Sequence, residues 1–260
     1  MSITRSPYPP APATEAARAR TGVLLVGHGT ARRQEASATL ARHAEAVART
    51  GRFARVRHAA LSGGPDPADA LREFDDLEKV LVLPMFMCSG ILVERLLPQR
   101  LGPRSSDARI RICPPLGAAP ELALLAGEAA AAARREAGWP DRDSILLLAA
   151  HGSPGNPASR RAAEDLARRL ARDDTWRAVQ VAYLEEAPFL ADTITSLRHP
   201  AVVLGLFAAD GGHAVLDVSE ALTRATRPVR YTGALGADAG IPDVVLGILA
   251  RELRADAAAA

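Results

Sequence analysis

The chain states one short phrase twice. Residues 23–30 read VLLVGHGT and residues 146–153 read LLLAAHGS, each an apolar run that stops at a histidine followed by a glycine and a hydroxyl residue. A short run that is apolar at every position fits a parallel strand covered on both faces. The histidine after it then stands at the strand's carboxyl end. Other landmarks keep the same step: His28 and His151, like Pro65 and Pro188, are 123 residues apart, Gly90 and Gly211 are 121 apart, and the Leu-Gly pairs at 116 and 235 are 119 apart. So steady an offset predicts two copies of one unit of about 120 residues.

Each copy alternates strand and helix patterns. The first predicts strands over 22–26, 53–61, 79–87 and 110–116, with helices over 30–47, 67–74, 91–101 and 120–137. The second predicts strands over 144–150, 178–184, 201–208 and 229–235, with helices over 158–171, 188–197, 215–223 and 241–253. This is an α/β pattern: two tandem similar lobes, each a four-stranded, mostly parallel sheet flanked by helices. Right-handed crossovers put the loops after the strands on one edge, where such sheets bind ligands. A Pro- and Ala-rich stretch over 1–20 has little to bury and reads as a disordered leader. The lobes are then expected over 21–138 and 139–260.

Composition excludes several classes. Charged residues make up 24% of the chain and nearly cancel, leaving a net charge of +2, so no basic field argues for nucleic acid. No stretch is apolar for long enough to span a membrane or form a signal-peptide core, and Cys88 and Cys113 form neither a CxxC nor a disulfide framework. A cytoplasmic protein is expected. Neither half has GxGxxG or a P-loop after its first strand.

Three residues of the second copy are candidates for chemistry. His151 ends the first strand, Glu185 in VAYLEEAP ends the second, and His213 in FAADGGHAVLDV follows the third. Imidazole suits cobalt, nickel, zinc and iron(II), and a carboxylate can complete a site that keeps open positions for substrate. Glu185 and Glu186 are adjacent, so if the first points into the cleft the second is expected to face solvent. The glycines beside the histidines, Gly152, Gly211 and Gly212, allow close approach of a ligand to the backbone. His43, His58 and His199 read as structural or surface residues. In the first copy His28 survives, but Ser62 stands at the place of Glu185 and Leu92 at that of His213. A site of imidazole, carboxylate and imidazole is therefore expected in the second half alone.

VLLVGHGT, LLLAAHGS, VLVLPMFMCSG, YLEEAP and LGLFAADGGHAVLDV, in this order over residues 22–253, resemble the CbiX/SirB family of sirohydrochlorin chelatases, relatives of the CbiK cobaltochelatases and ferrochelatase. The resemblance implies two chelatase-like lobes with a tetrapyrrole in the cleft between them, and an ATP-independent enzyme inserting Co(II) or Fe(II) into sirohydrochlorin for cobalamin or sirohaem. It implies that His151, Glu185 and His213 bind the divalent metal (cobalt, iron or nickel), which is a substrate, with no permanently bound cofactor. Asp217, one helical turn beyond His213, is expected to orient that imidazole. Ser153, Asn156, Gly211, Gly212, Thr30 and Arg32 are candidates for the substrate's carboxylate rim, with helix capping as their alternative role. A non-catalytic tetrapyrrole or metal carrier is the competing reading, and monomer and homodimer both stay open.

Overall fold

The computed structural model describes residues 20–29, 34–172, 174–210 and 213–259, with the side chains of 34–36, 213–215 and 259 outside the description. Residues 1–19 of the expected leader therefore lie outside it. The described chain forms two parallel sheets of four strands each. In the first, β1 (Thr21–Gly27), β2 (Arg55–Ala60), β3 (Lys79–Pro84) and β4 (Ile110–Ile112) lie in the order β2-β1-β3-β4. In the second, β5 (Ile145–Ala150), β6 (Ala178–Tyr183), β7 (Ala201–Leu206) and β8 (Val229–Ala234) repeat it as β6-β5-β7-β8. The strands that read as unbroken apolar runs are central: β1, β5 and β7 are buried at every position, whereas the edge strands β2, β4, β6 and β8 are not.

The helices are α1 (Gln34–Arg49), α2 (Pro67–Arg72), α3 (Leu97–Leu101), α4 (Pro120–Glu136), α5 (Ala158–Leu170), α6 (Leu190–Thr195), α7 (His213–Leu222) and α8 (Ile241–Ala259). Because side chains alternate across a strand, each sheet has two apolar faces. Val23, Leu25, Leu81 and Leu83 of the first and Leu146, Leu148, Val202 and Leu204 of the second face one shared core, filled by α1, α4, α5 and α8. Leu24, Val26, Val80 and Val82 face an outer core with Leu71, Phe74, Leu97 and Leu101, and Leu147, Ala149 and Val203 face another with Leu190, Ile194 and Val218.

The last helix of each repeat is exchanged. Helix α4 follows β4 in the chain but packs on β7 and β8, and α8 follows β8 but packs on α1. Arg111 of β4 and Lys79 of β3 hold α8 through Glu252 and Asp256, the Arg111–Asp256 contact being 2.9 Å. The repeat in the sequence and the packing unit in the fold thus differ by one helix.

Local departures from the predicted elements have identifiable causes. Before α3 the chain winds wider than an α-helix over Leu92–Leu96, the Leu97 N–H reaching the Leu92 carbonyl, because Pro98 has no N–H to continue the tighter ladder. Helix α6 starts at Leu190 because Pro188 is used in the turn, where its carbonyl accepts from Tyr183 N–H at 2.9 Å, as Pro65 accepts from Ala60 N–H at 2.9 Å. Helix α8 runs past the expected end to Ala259 on strong helix formers.

His43 is a core histidine, as expected from its surroundings. It is buried on α1, and its Nε2 donates to the Gly236 carbonyl of the other half at 2.9 Å. Burial holds its pKa below the ordinary 6.5. In that range the unfolded chain takes up the proton first, so this residue's contribution is complete above pH 6.5 and declines as pH falls toward the folded value. Thermal unfolding of wild type and His43→Gln between pH 7.5 and 5 is expected to show a steeper acid loss in wild type; parallel curves would refute the assignment.

Candidate metal centre

The topology brings three loops together. Strand β5 pairs with β6 on one side and β7 on the other, Ala150 lying opposite both Tyr183 and Leu206. The chain leaves β5 to one side and later returns on the other, so the crevice outside the carboxyl ends here is a topological switch point. His151 is the first residue past β5, Glu185 lies just past β6, and His213 opens α7 after β7.

His151 and Glu185 meet. Glu185 N–H donates to the His151 carbonyl at 3.0 Å, and the Glu185 Oε2 lies 3.5 Å from His151 Nδ1, with both side chains a little over half exposed. The same Nδ1 lies 3.3 Å from the Gly152 carbonyl. In the neutral ring one nitrogen carries the proton and the other offers its lone pair, so this half-exposed imidazole can serve a metal. Gly152 lets the neighbouring Glu186 side chain lie against this loop: its φ is +78°, and a Cβ there would sit 2.8 Å from Glu186 Cγ.

Glu186 corrects the expectation that it faces solvent. Its side chain is 14% exposed, turned inward, with Oε1 accepting from Ser153 N–H at 3.1 Å and Oε2 from Arg160 Nη2 at 2.8 Å. The Arg160 guanidinium holds this carboxyl below the usual range. Arg160 also donates to the Ala187 carbonyl at 2.6 Å and lies 4.7 Å from the Tyr183 ring centroid. The sequence gave no sign of this clamp beyond a second acid beside Glu185.

The remaining candidates divide. Asn156 Oδ1 accepts from Ala158 N–H at 3.0 Å, so it caps α5. A Cβ on Gly90 of the first half would lie 3.0 Å from the Asn156 amide nitrogen, so the two halves approach closely there. Asp217 is exposed on α7 and lines, with Glu185, Asp192, Phe189 and Glu220, a groove of about 350 Å³. Thr30, Arg32, Gly211 and Gly212 lie outside the described residues, as does the His213 side chain. Asp210 ties the loop before them to β8, its Oδ1 accepting from Ala234 N–H at 3.0 Å. Among the described residues no third His, Cys, Asp or Glu joins His151 and Glu185 in a metal-binding group.

The first half supplies the comparison. His28 is placed like His151, with Nδ1 at 2.6 Å from the Gly29 carbonyl, and Ser62 N–H donates to the His28 carbonyl at 2.9 Å as Glu185 does to that of His151. Gly117 N–H to Phe86 and Gly236 N–H to Phe207, both 2.9 Å, hold the ends of the third strands in step at the 121-residue offset that sets Leu92 against His213 in the sequence. The cysteines offer no replacement thiolate: burial raises the Cys88 pKa and pushes that of Cys113 up to about 12.

Between the halves a cavity of about 420 Å³ is lined by Met87, Cys88 and Ser89 on one side and Arg161, Asp165 and Arg169 on the other. These arginines were missed in the sequence. Their eight-residue spacing on α5 puts them on one helix face, but only the packing shows that this face meets the other half. No helix among the described residues is long and apolar enough to cross a membrane.

Comparison with known proteins identifies the family and the fold. The profile of the family described as CbiX matches residues 22–133 and 145–251. A probable sirohydrochlorin cobaltochelatase of Halobacterium salinarum is 25% identical, the alignment covering 86% of this chain and 89% of its own length. The structure of CbiX, the terminal enzyme for biosynthesis of siroheme in denitrifying bacteria, is 32% identical with a TM-score of 0.71, covering 88% of this chain and 97% of that one. SirB from Bacillus subtilis, solved with Fe3+, has a TM-score of 0.73 at 15% identity, covering 92% and 98%, and shares the fold.

Proposed function

The chain belongs to the CbiX family, and on that premise we propose that it inserts a divalent metal, cobalt or iron, into sirohydrochlorin. The observation that carries the reading is the pairing of His151 with Glu185 at the switch point, in the half that keeps both acid and imidazole. The relatives' names divide over the metal: cobalt in one, sirohaem in another. Imidazole and carboxylate accept both.

Insertion requires three things of a protein: shedding the ion's waters, accepting the two protons lost by the pyrrole nitrogens, and presenting the ion to one face of the ring. His151, Glu185 and His213 are the proposed ligands of the incoming ion, and borderline imidazole holds it without trapping it. Once the ion passes to the ring, the freed carboxylate of Glu185 and the imidazoles are bases for the two protons. Asp217 is the proposed partner of the His213 ring. The substrate's carboxylate rim is assigned to Arg161 and Arg169 in the cleft, together with Ser153, Asn156, Gly211, Gly212, Thr30 and Arg32 at the loop ends. The reaction is read as independent of ATP, as the resemblance to the chelatase family implies. Free cysteines fit a reducing compartment, the cytoplasm.

The test mixes the purified protein with sirohydrochlorin and Co(II), Fe(II) or Ni(II) without nucleotide and follows the ring's absorption. Acceleration over the spontaneous reaction with cobalt or iron is expected. Stoichiometric binding without turnover for every metal would replace the enzyme by a carrier.

A further inference from the structure

The loops that bear His151 and Glu185 are joined by a side chain that is itself no part of the proposed metal site. Glu186 reaches back with Oε1 to the Ser153 N–H, two residues after His151, at 3.1 Å, and with Oε2 to Arg160 at 2.8 Å. Arg160, in the first turn of α5, completes the bridge: it donates to the Ala187 carbonyl at 2.6 Å and lies over the Tyr183 ring at the end of β6. One guanidinium and one carboxylate thus tie the β5 loop, the β6 loop and α5 into a single unit. Charge-assisted bonds of this kind are directional as well as strong.

The first half shows the same loops without the tie. At the places of Glu186 and Arg160, by the same 123-residue step, it has Gly63 and Ser37, which supply neither carboxylate nor guanidinium. The backbone bond beneath, Ser62 N–H to the His28 carbonyl at 2.9 Å, is kept. Joining these loops for folding alone therefore needs no Glu–Arg pair. The pair occurs in the half that has both an imidazole and an acid to aim.

We infer that Glu186, held by Arg160, is a positioning residue that fixes the His151 and Glu185 loops relative to each other and thereby sets the affinity for the incoming divalent metal. The inference rests on the proposed metal site. Ser153 and Arg160 meet different oxygens of Glu186, so a Gln in the same place sets its NH2 against one of the two donors and loses that bond. An Ala serves neither. Arg160→Lys keeps the charge but loses the planar fork and the stacking.

The experiment measures, for wild type, Glu186→Gln, Glu186→Ala and Arg160→Lys, the KM for Co(II), the KM for sirohydrochlorin, kcat, the visible absorption of bound Co(II) and the thermal midpoint. The KM for Co(II) is expected to rise about 10-fold in Glu186→Gln and Arg160→Lys and about 100-fold in Glu186→Ala. The Co(II) spectrum should shift with it, while the KM for sirohydrochlorin, held by many residues besides Ser153, and kcat at saturating metal each stay within about 3-fold. Lower midpoints in the near-isosteric Glu186→Gln with the same KM for Co(II) and the same spectrum would reduce the pair to a structural tie and overturn the inference. Equal rises in both KM values would overturn it as well. Wild type that neither binds Co(II) nor turns over would remove the proposed function itself, an outcome distinct from functional wild type with indifferent variants.

Discussion

Replacing His151 by Ala is expected to lower kcat/KM for metal insertion by at least about 100-fold, roughly 2.7 kcal/mol of transition-state stabilisation, and His213→Ala to do the same, while His28→Ala stays within about 3-fold. The contrast is informative because His28 and His151 are so alike. Both follow a buried central strand, both point Nδ1 at the carbonyl of the next glycine, and both accept an N–H from the neighbouring loop on the main-chain carbonyl. What differs is the company: Glu185 stands beside His151 and His213 follows the next strand, whereas the first half has Ser62 and Leu92 at the corresponding sequence positions. A single imidazole does not hold a divalent ion against water. The His151 ring is more than half exposed, so its loss removes little packing and the unfolding free energy should stay within about 0.5 kcal/mol of wild type. A larger loss of activity in His28→Ala than in His151→Ala would move the chemistry to the first half.

The sheets were legible because their central strands are written as runs that only a doubly covered strand tolerates: VLLV in β1 and ILLLAA in β5. That His151 and Glu185 end neighbouring strands was legible too, from the strand ends themselves and from the resemblance to the family. Other features had no local signal. Glu185 and Glu186 are the same residue type in sequence, and what turns the second inward is an Arg160 that lies 26 positions away and an N–H freed by the turn at Gly152. The cleft arginines read as an ordinary solvated helix face until the packing of α5 against the 87–89 loop is known. The stripe Leu122, Ala126 and Ala130 announces a helix with a buried face, and periodicity says nothing about which sheet it covers.

That last point carries the second large expectation. Helix α8 belongs to the second repeat but buries Ile241, Val244, Val245, Ile248 and Leu249 in the shared core, each at most 3% exposed, alongside α1 and the inner face of the first sheet. At roughly 1.5–3 kcal/mol per fully buried aliphatic side chain, these five match the whole stability of an ordinary domain, about 5–15 kcal/mol. Deleting Ile241–Ala259 is therefore expected to leave no cooperatively folded protein, the first half included. The milder Leu249→Ala separates this from simple damage to one lobe, at an expected cost of about 2–5 kcal/mol. The chain's two tryptophans, Trp139 and Trp176, lie beyond β4, and the buried Trp176 precedes β6 of the second half. Both pack in the shared core, so tryptophan fluorescence follows that core, while far-UV circular dichroism follows both sheets and their helices. Because α4 and α8 are exchanged, urea should shift both signals together to one lower midpoint in Leu249→Ala. A fluorescence transition left at the wild-type midpoint while the circular dichroism splits would mean that the lobes unfold independently and that the exchange does not couple them.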